Sequence, residues 1–532
     1  MTNGFRIFLF VSLGIIWYHY LLTDVMDIDA AQYASMSMEM WETGQFLEIY
    51  EAGSDYLDKP PMVFWLSSMG LGIFGVSSWA FKLIPFLCII LGYVAFFQWV
   101  KRYYTSDQAE IACYILATCQ GFFLLTNDIR TDGILFGMVM CGIWCLDMFS
   151  QKGTWKWLIF GGLFTGFAML TKGPLGFIAI LVPLFFQWLV TKNWKIIFTW
   201  KWLIFLLIIA FVLAPMCWGL YYQFDMHPEK EVYGLKGPSG LKFFFWTQSF
   251  GRYTGDIYWN NEQSPFYFFQ TILWDFFPWV LLLFPAWYHH IAHAKKRRDW
   301  VSFFGFTFLF ILFSFSNYKL PHYIFITFPF AAVLVMQYIH NVPVWFGKFL
   351  HFTGLGLIAI VLILFGIYHA WLFPGWGEKT LWIYGVFLVS ILYFIYSFRQ
   401  ENWLCNFMII SIMINIFLAL RFYPDILMYQ GSGVAGKWAR DNVSSRYNIY
   451  AYKVPAHAFS FYAGKVAPVV GEEAIDTLKT DDLLVSWEAV IHPDLVEEMA
   501  FDYFPVSRLN ITFLNPETRE KTLEKFYLYR KK

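Results

Sequence analysis

The sequence predicts a polytopic α-helical membrane protein of about 13 transmembrane helices, followed by a small α/β domain. Three observations predict it. Hydrophobic residues fill 58% of the 532 positions and charged residues only 14%, with 61 Phe, 32 Tyr and 26 Trp, a balance outside the range of soluble domains. Roughly thirteen apolar stretches each approach the ~20 residues that a bilayer core requires. From about Gly431 the composition becomes mixed and charged, and the short alternating runs NIYAYKV, DLLVSW and NITFL stand between helix-like stretches, the pattern of strands interleaved with helices.

The apolar stretches centre near residues 14, 90, 117, 141, 163, 183, 211, 278, 308, 331, 360, 389 and 411. The first, MTNGFRIFLFVSLGIIWYHYLL, has a basic start but no small-residue cleavage site and reads as an uncleaved span. Met62–Phe74 is apolar but short, and its position beside Lys59 suits a re-entrant or interfacial piece. Orientation follows from the basic residues, because loops rich in Lys and Arg stay cytoplasmic. The clusters are Lys101-Arg102, Lys152 with Lys156, Lys192 with Lys195 and Lys201, Lys295-Lys296-Arg297-Arg298, Lys348 and Arg399. With thirteen crossings starting inside, all of them fall on the cytoplasmic side. The segments 23–60, 127–132, 172–174, 223–264, 317–322 and 373–380, and everything after Arg421, then face outward. Residues 1–430 form the membrane domain, with outer loops 23–60 and 223–264, and 431–532 form an extracytoplasmic α/β domain.

Lys+Arg and Asp+Glu balance at 38 each, so net charge gives no support to a nucleic-acid partner. The seven cysteines lie in apolar runs, where thiols behave as small hydrophobes, and neither disulfides nor a cysteine metal site is expected. No internal repeat or matching pair of broken helices marks an inverted-repeat transporter.

The unusual polar residues gather in the outward segments. In DIDAAQYASMSMEMWETG, Asp29 and Gln32 have the spacing of a capping box, and Tyr33, Met36, Met40 and Trp41 form one apolar face of a helix lying on the outer membrane surface. Asp29 reads as an N-cap, a catalytic carboxylate, or both. In DYLDKPPMVFWL, Lys59 is either a snorkelling cation paired with Asp58 or part of a polar site. NDIRTDG packs Arg130 and Asp132 into one short turn, where Asp132 is a helix cap or a site residue. Lys172 in LTKGPLG sits at a helix C-terminus, which favours a cation. Arg252 in WTQSFGRYTGDIYW either stacks on its aromatic neighbours or grips phosphate with its guanidinium fork. SFSNYKLPHYIFITFP brings Lys319, His322 and Tyr323 to helix ends. Each residue has a structural explanation alone; together they place cations, hydroxyls and carboxylates at one membrane boundary. A phosphate-bearing lipid suits such a site, its tail in the bilayer and its head group among the cations.

These motifs resemble the GT-C class of integral-membrane glycosyltransferases, and within it the bacterial group that holds the aminoarabinose transferase of lipid A, related to protein O-mannosyltransferases. DIDAAQYA is similar to that group's first-loop motif, YLDKPPMVFW to its YFEKPPxxYW, NDIRTDG to its RTD turn, LTKGP to its TKGP, and NYKLPHYIFITFP to its SKLPxYxLPxyP. The five occur in order over residues 20–335. The resemblance implies a sugar transferase of the bacterial inner membrane whose site faces the periplasm. Its donor would be a polyprenyl-phosphate sugar and its acceptor lipid A, a glycan or a protein. It makes Asp29 the catalytic carboxylate, assigns Tyr56, Lys59, Arg252 and Tyr323 to the lipid phosphate, and makes Asp132 a support for the acceptor or the site. Asp58, Arg130, Lys172, Lys319 and His322 are supporting residues. Three departures stand out: Ala30 replaces an acid, Gln32 replaces an arginine, and Asp58 replaces a glutamate, which leaves a divalent metal an open expectation. A lipid-linked-sugar flippase or a surface-polysaccharide ligase are the competing classes.

Overall fold

The computed structural model describes residues 1–251, 263–294, 297–374, 402–443 and 447–532, with short helical pieces between 383 and 396. Arg252, Lys295, Lys296, Arg399 and most of the 373–380 segment lie outside the described residues.

Among the described residues the apolar stretches map to helices, except that the centre of the one near 278 is a turn between two. Among the described residues, seven helices are long and apolar enough to cross a membrane, including Asn3–Leu22 (α1), Ser78–Val100 and Thr131–Lys152. Two more stretches are broken. Ser106–Ala117 and Gln120–Asn127 meet at 67°, and Tyr267–Asp275 and Val280–Ala292 at 115°. The stretches near 183 and 308 are shorter apolar helices, Pro174–Val190 and Val301–Ser314, the one near 163 is Trp155–Lys172, and the described residues near 389 are helical. Among the described residues, helix length and composition thus account for seven to nine of the thirteen expected crossings, and the chain is a multi-pass, mostly helical membrane protein.

Packing in the centre of the bundle depends on close helix approach. Ser78–Val100 and Thr131–Lys152 cross where Gly92 meets Gly137, and a Cβ on Gly137 would collide with the Cys88 carbonyl. Small residues at a crossing let backbones approach without hydrophobic driving force, which lipid tails do not supply. Thr131–Lys152 is consequently buried along nearly its whole length, whereas α1 leaves Ile7, Phe10 and Tyr18 exposed on one side.

The helix Asp29–Thr43 (α2) departs from the expected surface helix. Tyr33, Met36 and Met40 are buried, but so are Ala30, Ala31, Ala34, Ser35, Ser37 and Met38 on the other faces, while Trp41 is exposed. Its small residues let it sit between Met62–Phe74 (α3) and the helix His457–Ala463 of the C-terminal region. The expected capping box is also absent: the N-cap is Ile28, and no side chain caps it.

The C-terminal region carries a five-stranded mixed sheet, in the order Val469–Val470, Ile449–Tyr452, Leu483–Ser486, Glu524–Lys531, Leu495–Tyr503. The first two pairings are parallel and the last two antiparallel. NIYAYKV and DLLVSW hold the expected strands. NITFL is instead a helical turn, Ile511–Leu514, because the Asn510 side chain accepts from Phe513 N and caps it, a role that asparagine fills well. The helices Gly431–Asn442 and His457–Ala463 contribute Ala435, Ala439 and Phe459 to the core beneath the sheet. All seven cysteines are free.

Candidate functional site

Five of the segments expected to face outward, 23–60, 127–132, 172–174, 223–264 and 317–322, contribute to one cavity of about 770 Å³. Its lining includes Asp29, Gln32 and Tyr33 from α2, Asp58 and Lys59 from the link into α3, and Arg130 and Asp132 at the head of Thr131–Lys152. Lys172, His322 and Tyr323 complete the polar part. Leu175, Ile178, Trp246, Phe250, Leu312 and Phe313 supply an apolar wall.

Local sequence explains how each side chain arrives. A two-stranded hairpin, Tyr50–Glu51 with Ser54–Asp55, turns the chain back toward the bundle. Pro60 and Pro61 then stop the extended link and start α3, whose N-cap is Pro61, proline being suited to a helix start. Asp58 and Lys59 are held there, at the rim. Arg130 is the N-cap residue of its helix, but no side chain caps that end, so Asp132 is not the cap that the turn suggested. Lys172 ends its helix, and Gly173, at φ 63°, reverses the chain into Pro174, a backbone conformation that glycine tolerates best.

Cations and carboxylates alternate around the wall. Lys59 pairs with Asp58 at 2.5 Å, and Arg130 bridges Asp29 at 2.6 Å and Asp128 at 2.7 Å. Lys172 bonds Asp132 and lies 4.5 Å from the centroid of the Tyr323 ring, a cation–π distance. His322 Nε2 is 3.8 Å from the second Asp132 oxygen. Asp132 is nearly sealed from solvent, at 3% exposure, whereas Asp29 is 43% exposed and open to a ligand. Burial alone would lower the pKa of the Lys59 ammonium, but Asp58 outweighs it and raises the group above the ordinary lysine value. Arg130 is raised in the same way, by Asp128 and Asp29 against burial. Burial pushes the Tyr33 and Tyr56 phenols up, so both are neutral hydroxyls near pH 7.

Two of the expected site residues, Tyr56 and Lys319, do not line this cavity, and a third is not among the described residues. Tyr56 is buried and lines a small adjoining hollow of about 20 Å³, which shares Lys59, Pro60 and Gln248 with the cavity wall. Its large ring is held edge-on against Phe64 under the rim. Lys319 donates to the Gln263 carbonyl at 2.8 Å and does not line the cavity. Arg252 lies outside the described residues, two positions beyond Phe250. Residues 246–250 were not singled out from sequence, yet Trp246, Gln248, Ser249 and Phe250 all line the cavity. Their signal was adjacency to Arg252 in WTQSFGR.

Around the cavity, Asp29, Asp58 and Asp132 each already face Arg130, Lys59 or Lys172. The described lining therefore offers no set of free carboxylates for a resident divalent metal. Among the described residues, the trio close enough to share an ion is Asp476, His492 and Asp494 in the C-terminal sheet region, and Lys531 already pairs with Asp494 at 3.0 Å.

A family model described as dolichyl-phosphate-mannose-protein mannosyltransferase matches residues 58–218. The undecaprenyl phosphate-alpha-4-amino-4-deoxy-L-arabinose arabinosyl transferase of Edwardsiella ictaluri is 25% identical over 362 residues. That match takes in 63% of this chain and 61% of the relative, so the chain spans about three-fifths of that protein's length. A protein of Aquifex aeolicus is 25% identical over 386 residues, covering 70% of this chain and 72% of its own. Among solved structures, ArnT from Cupriavidus metallidurans bound to undecaprenyl phosphate superposes with a TM-score of 0.72 at 18% identity, over 91% of this chain and 93% of that one. The Archaeoglobus fulgidus oligosaccharyltransferase gives 0.50 at 12% identity, over 86% and 64%. The chain therefore has the GT-C membrane fold, and in motif and sequence it resembles the aminoarabinose transferase group within that fold.

Proposed function

We propose that the protein is a glycosyltransferase that moves a sugar from a polyprenyl-phosphate donor to an acceptor at the outer, periplasmic side of the bacterial inner membrane, with residues 431–532 on that side. The observation that carries this reading is the single cavity in which an open carboxylate, Asp29, shares a wall with Lys59, Arg130 and Lys172 beside a large apolar face. Such a chamber suits a lipid whose phosphate meets cations while its chain lies along Leu175, Ile178, Leu312 and Phe313. The relatives named for undecaprenyl-phosphate sugars support the donor class.

In the proposed reaction an acceptor oxygen attacks the anomeric carbon, and the bond from that carbon to the donor phosphate breaks with its electron pair on the phosphate. Lys59, with Arg252 and Tyr323 as proposed partners, stabilises the negative charge that grows on the leaving group, where binding lowers the barrier. Asp29 takes the proton of an acceptor hydroxyl, a step that contributes about 10²- to 10⁴-fold. An acceptor that is already a phosphate anion, as on lipid A, needs no base, and Asp29 then mainly orients neighbouring groups such as Arg130. Asp132, fixed by Lys172, holds Arg130 and His322 in register across the wall. A single displacement inverts the anomeric centre; retention in the product would exclude that course.

The deciding experiment uses proteoliposomes with radiolabelled undecaprenyl-phosphate sugar and lipid A. Label covalently joined to the acceptor is the expected result. Label that only changes leaflet would make the protein a flippase and overturn the proposal.

A further inference from the structure

Just before Asp29 the chain is held by side chains far along the sequence. Gln430 accepts from Asp27 N and donates to Val25 O, both at 2.9 Å, and Tyr462 OH accepts from Val25 N at 2.6 Å. Ser432 donates to the Asp27 carboxylate and Lys437 to Asp24, each at 2.6 Å. A second tie reaches the cavity wall itself. His457, the first residue of the helix His457–Ala463, places Nε2 3.0 Å from Glu51 Oε1, and Gln32 Nε2 donates to that same oxygen at 2.6 Å. His457 and Glu51 are 11% and 18% exposed, and Gln32 lines the cavity one turn beyond Asp29.

The chemistry of this relay decides which end of the Gln32 amide is engaged. An ionised carboxylate only accepts hydrogen bonds, so the atom of Gln32 that faces Glu51 is its NH₂. Burial by itself would push Glu51 up, but the bonds from His457 and Gln32 outweigh it and hold the group below the ordinary glutamate range. The remaining polar atom of Gln32 is its carbonyl oxygen, an acceptor. A phosphate oxygen is also an acceptor, so this carbonyl end of Gln32 does not bond phosphate, and the neutral amide lacks the charged fork of the arginine that the resemblance places at this position.

We propose that Gln32 is a specificity-determining residue that receives a hydrogen bond from a hydroxyl or ammonium of the bound sugar, and that His457 is its positioning residue, acting through Glu51. The inference rests on the sugar-transfer reading and deepens it. The C-terminal domain thereby becomes part of the donor site.

The test compares two probes on full-length protein in detergent, bare undecaprenyl phosphate and undecaprenyl phosphate-4-amino-4-deoxy-L-arabinose, together with hydrogen exchange over residues 29–33. His457→Ala and Glu51→Gln should speed exchange there and weaken the sugar-bearing probe about tenfold, with the bare lipid within twofold of wild type. His457→Gln, which keeps a donor in reach of Glu51, should restore most of the loss. Lys437→Ala, which loosens the domain contact elsewhere, should change none of these. Equal weakening of both probes, or unchanged exchange, would overturn the proposal. A wild-type protein that binds neither probe while exchange still rises in the variants would sink the sugar-transfer reading and Gln32's sugar contact with it, but leave the His457–Glu51 coupling standing.

Discussion

Lys59→Met is the sharpest perturbation of the proposed phosphate site, because it acts twice. It removes a charge-assisted hydrogen bond to the lipid phosphate, which contributes about 1.5–3 kcal/mol. It also leaves Asp58 without the cation that faces it at 2.5 Å. Two like charges about 4 Å apart interact by about 4 kcal/mol at an effective dielectric near 20. Asp58 is 22% exposed, and solvent reduces that repulsion to about 1–2 kcal/mol. The sum, about 2.5–5 kcal/mol, corresponds to a loss of affinity of about 60- to 4,000-fold at 1.4 kcal/mol per decade. Asp58→Asn in the same background removes the repulsion alone and should recover roughly tenfold. The assay is equilibrium binding of tritiated undecaprenyl phosphate to purified protein in detergent. Binding by Lys59→Met within threefold of wild type would refute the assignment of Lys59. A double variant no better than the single would refute the role given to Asp58.

Three further outcomes are expected. Asp29→Asn should lower kcat about 10²- to 10⁴-fold for a hydroxyl acceptor while lipid binding holds, because Asp128 still grips Arg130 at 2.7 Å; transfer kinetics and the same binding assay check it. Lys172→Met strands Asp132, which is 3% exposed and faces only the buried, neutral His322 at 3.8 Å besides, and should cost about 3–5 kcal/mol of stability. Asp132→Asn with Lys172→Met should regain most of that in thermal unfolding, without regaining activity. Burial raises the Asp27 carboxyl to about 6, above its usual value of about 4. The folded state therefore holds the extra proton between those values, and the contribution is complete below about 4 and lost as pH rises through about 6. Hydrogen exchange over residues 24–29, corrected for intrinsic rates, should slow from pH 7 to pH 5 in wild type and stay flat in Asp27→Asn.

Much of the cavity was legible before folding. Asp29, Lys59, Arg130, Asp132, Lys172, His322 and Tyr323 are polar residues at the ends of apolar helices, and a charge at such a place needs a reason. Their partners were not legible. Asp132 looked like a cap and is a partner of Lys172; Gln32 looked like half of a capping box and is bonded to Glu51. Capping is a local rule read within four residues, and these bonds span whole helices. Tyr56 lay in the right motif, but its ring packs under the rim against Phe64, an outcome set by the turn into α3. NITFL alternated like a strand, and one asparagine side chain made it a helical turn.

The sequence by itself determined the solvent of each segment: the apolar helices, the charged C-terminal region and the polar helix ends follow from transfer free energies that each residue carries wherever the chain goes. The tertiary structure alone decided which charges face each other, and that His457 reaches the wall of the cavity through Glu51. Those choices depend on distances of a few ångströms between residues remote in the chain, and Coulomb and hydrogen-bond energies become specific only at that range.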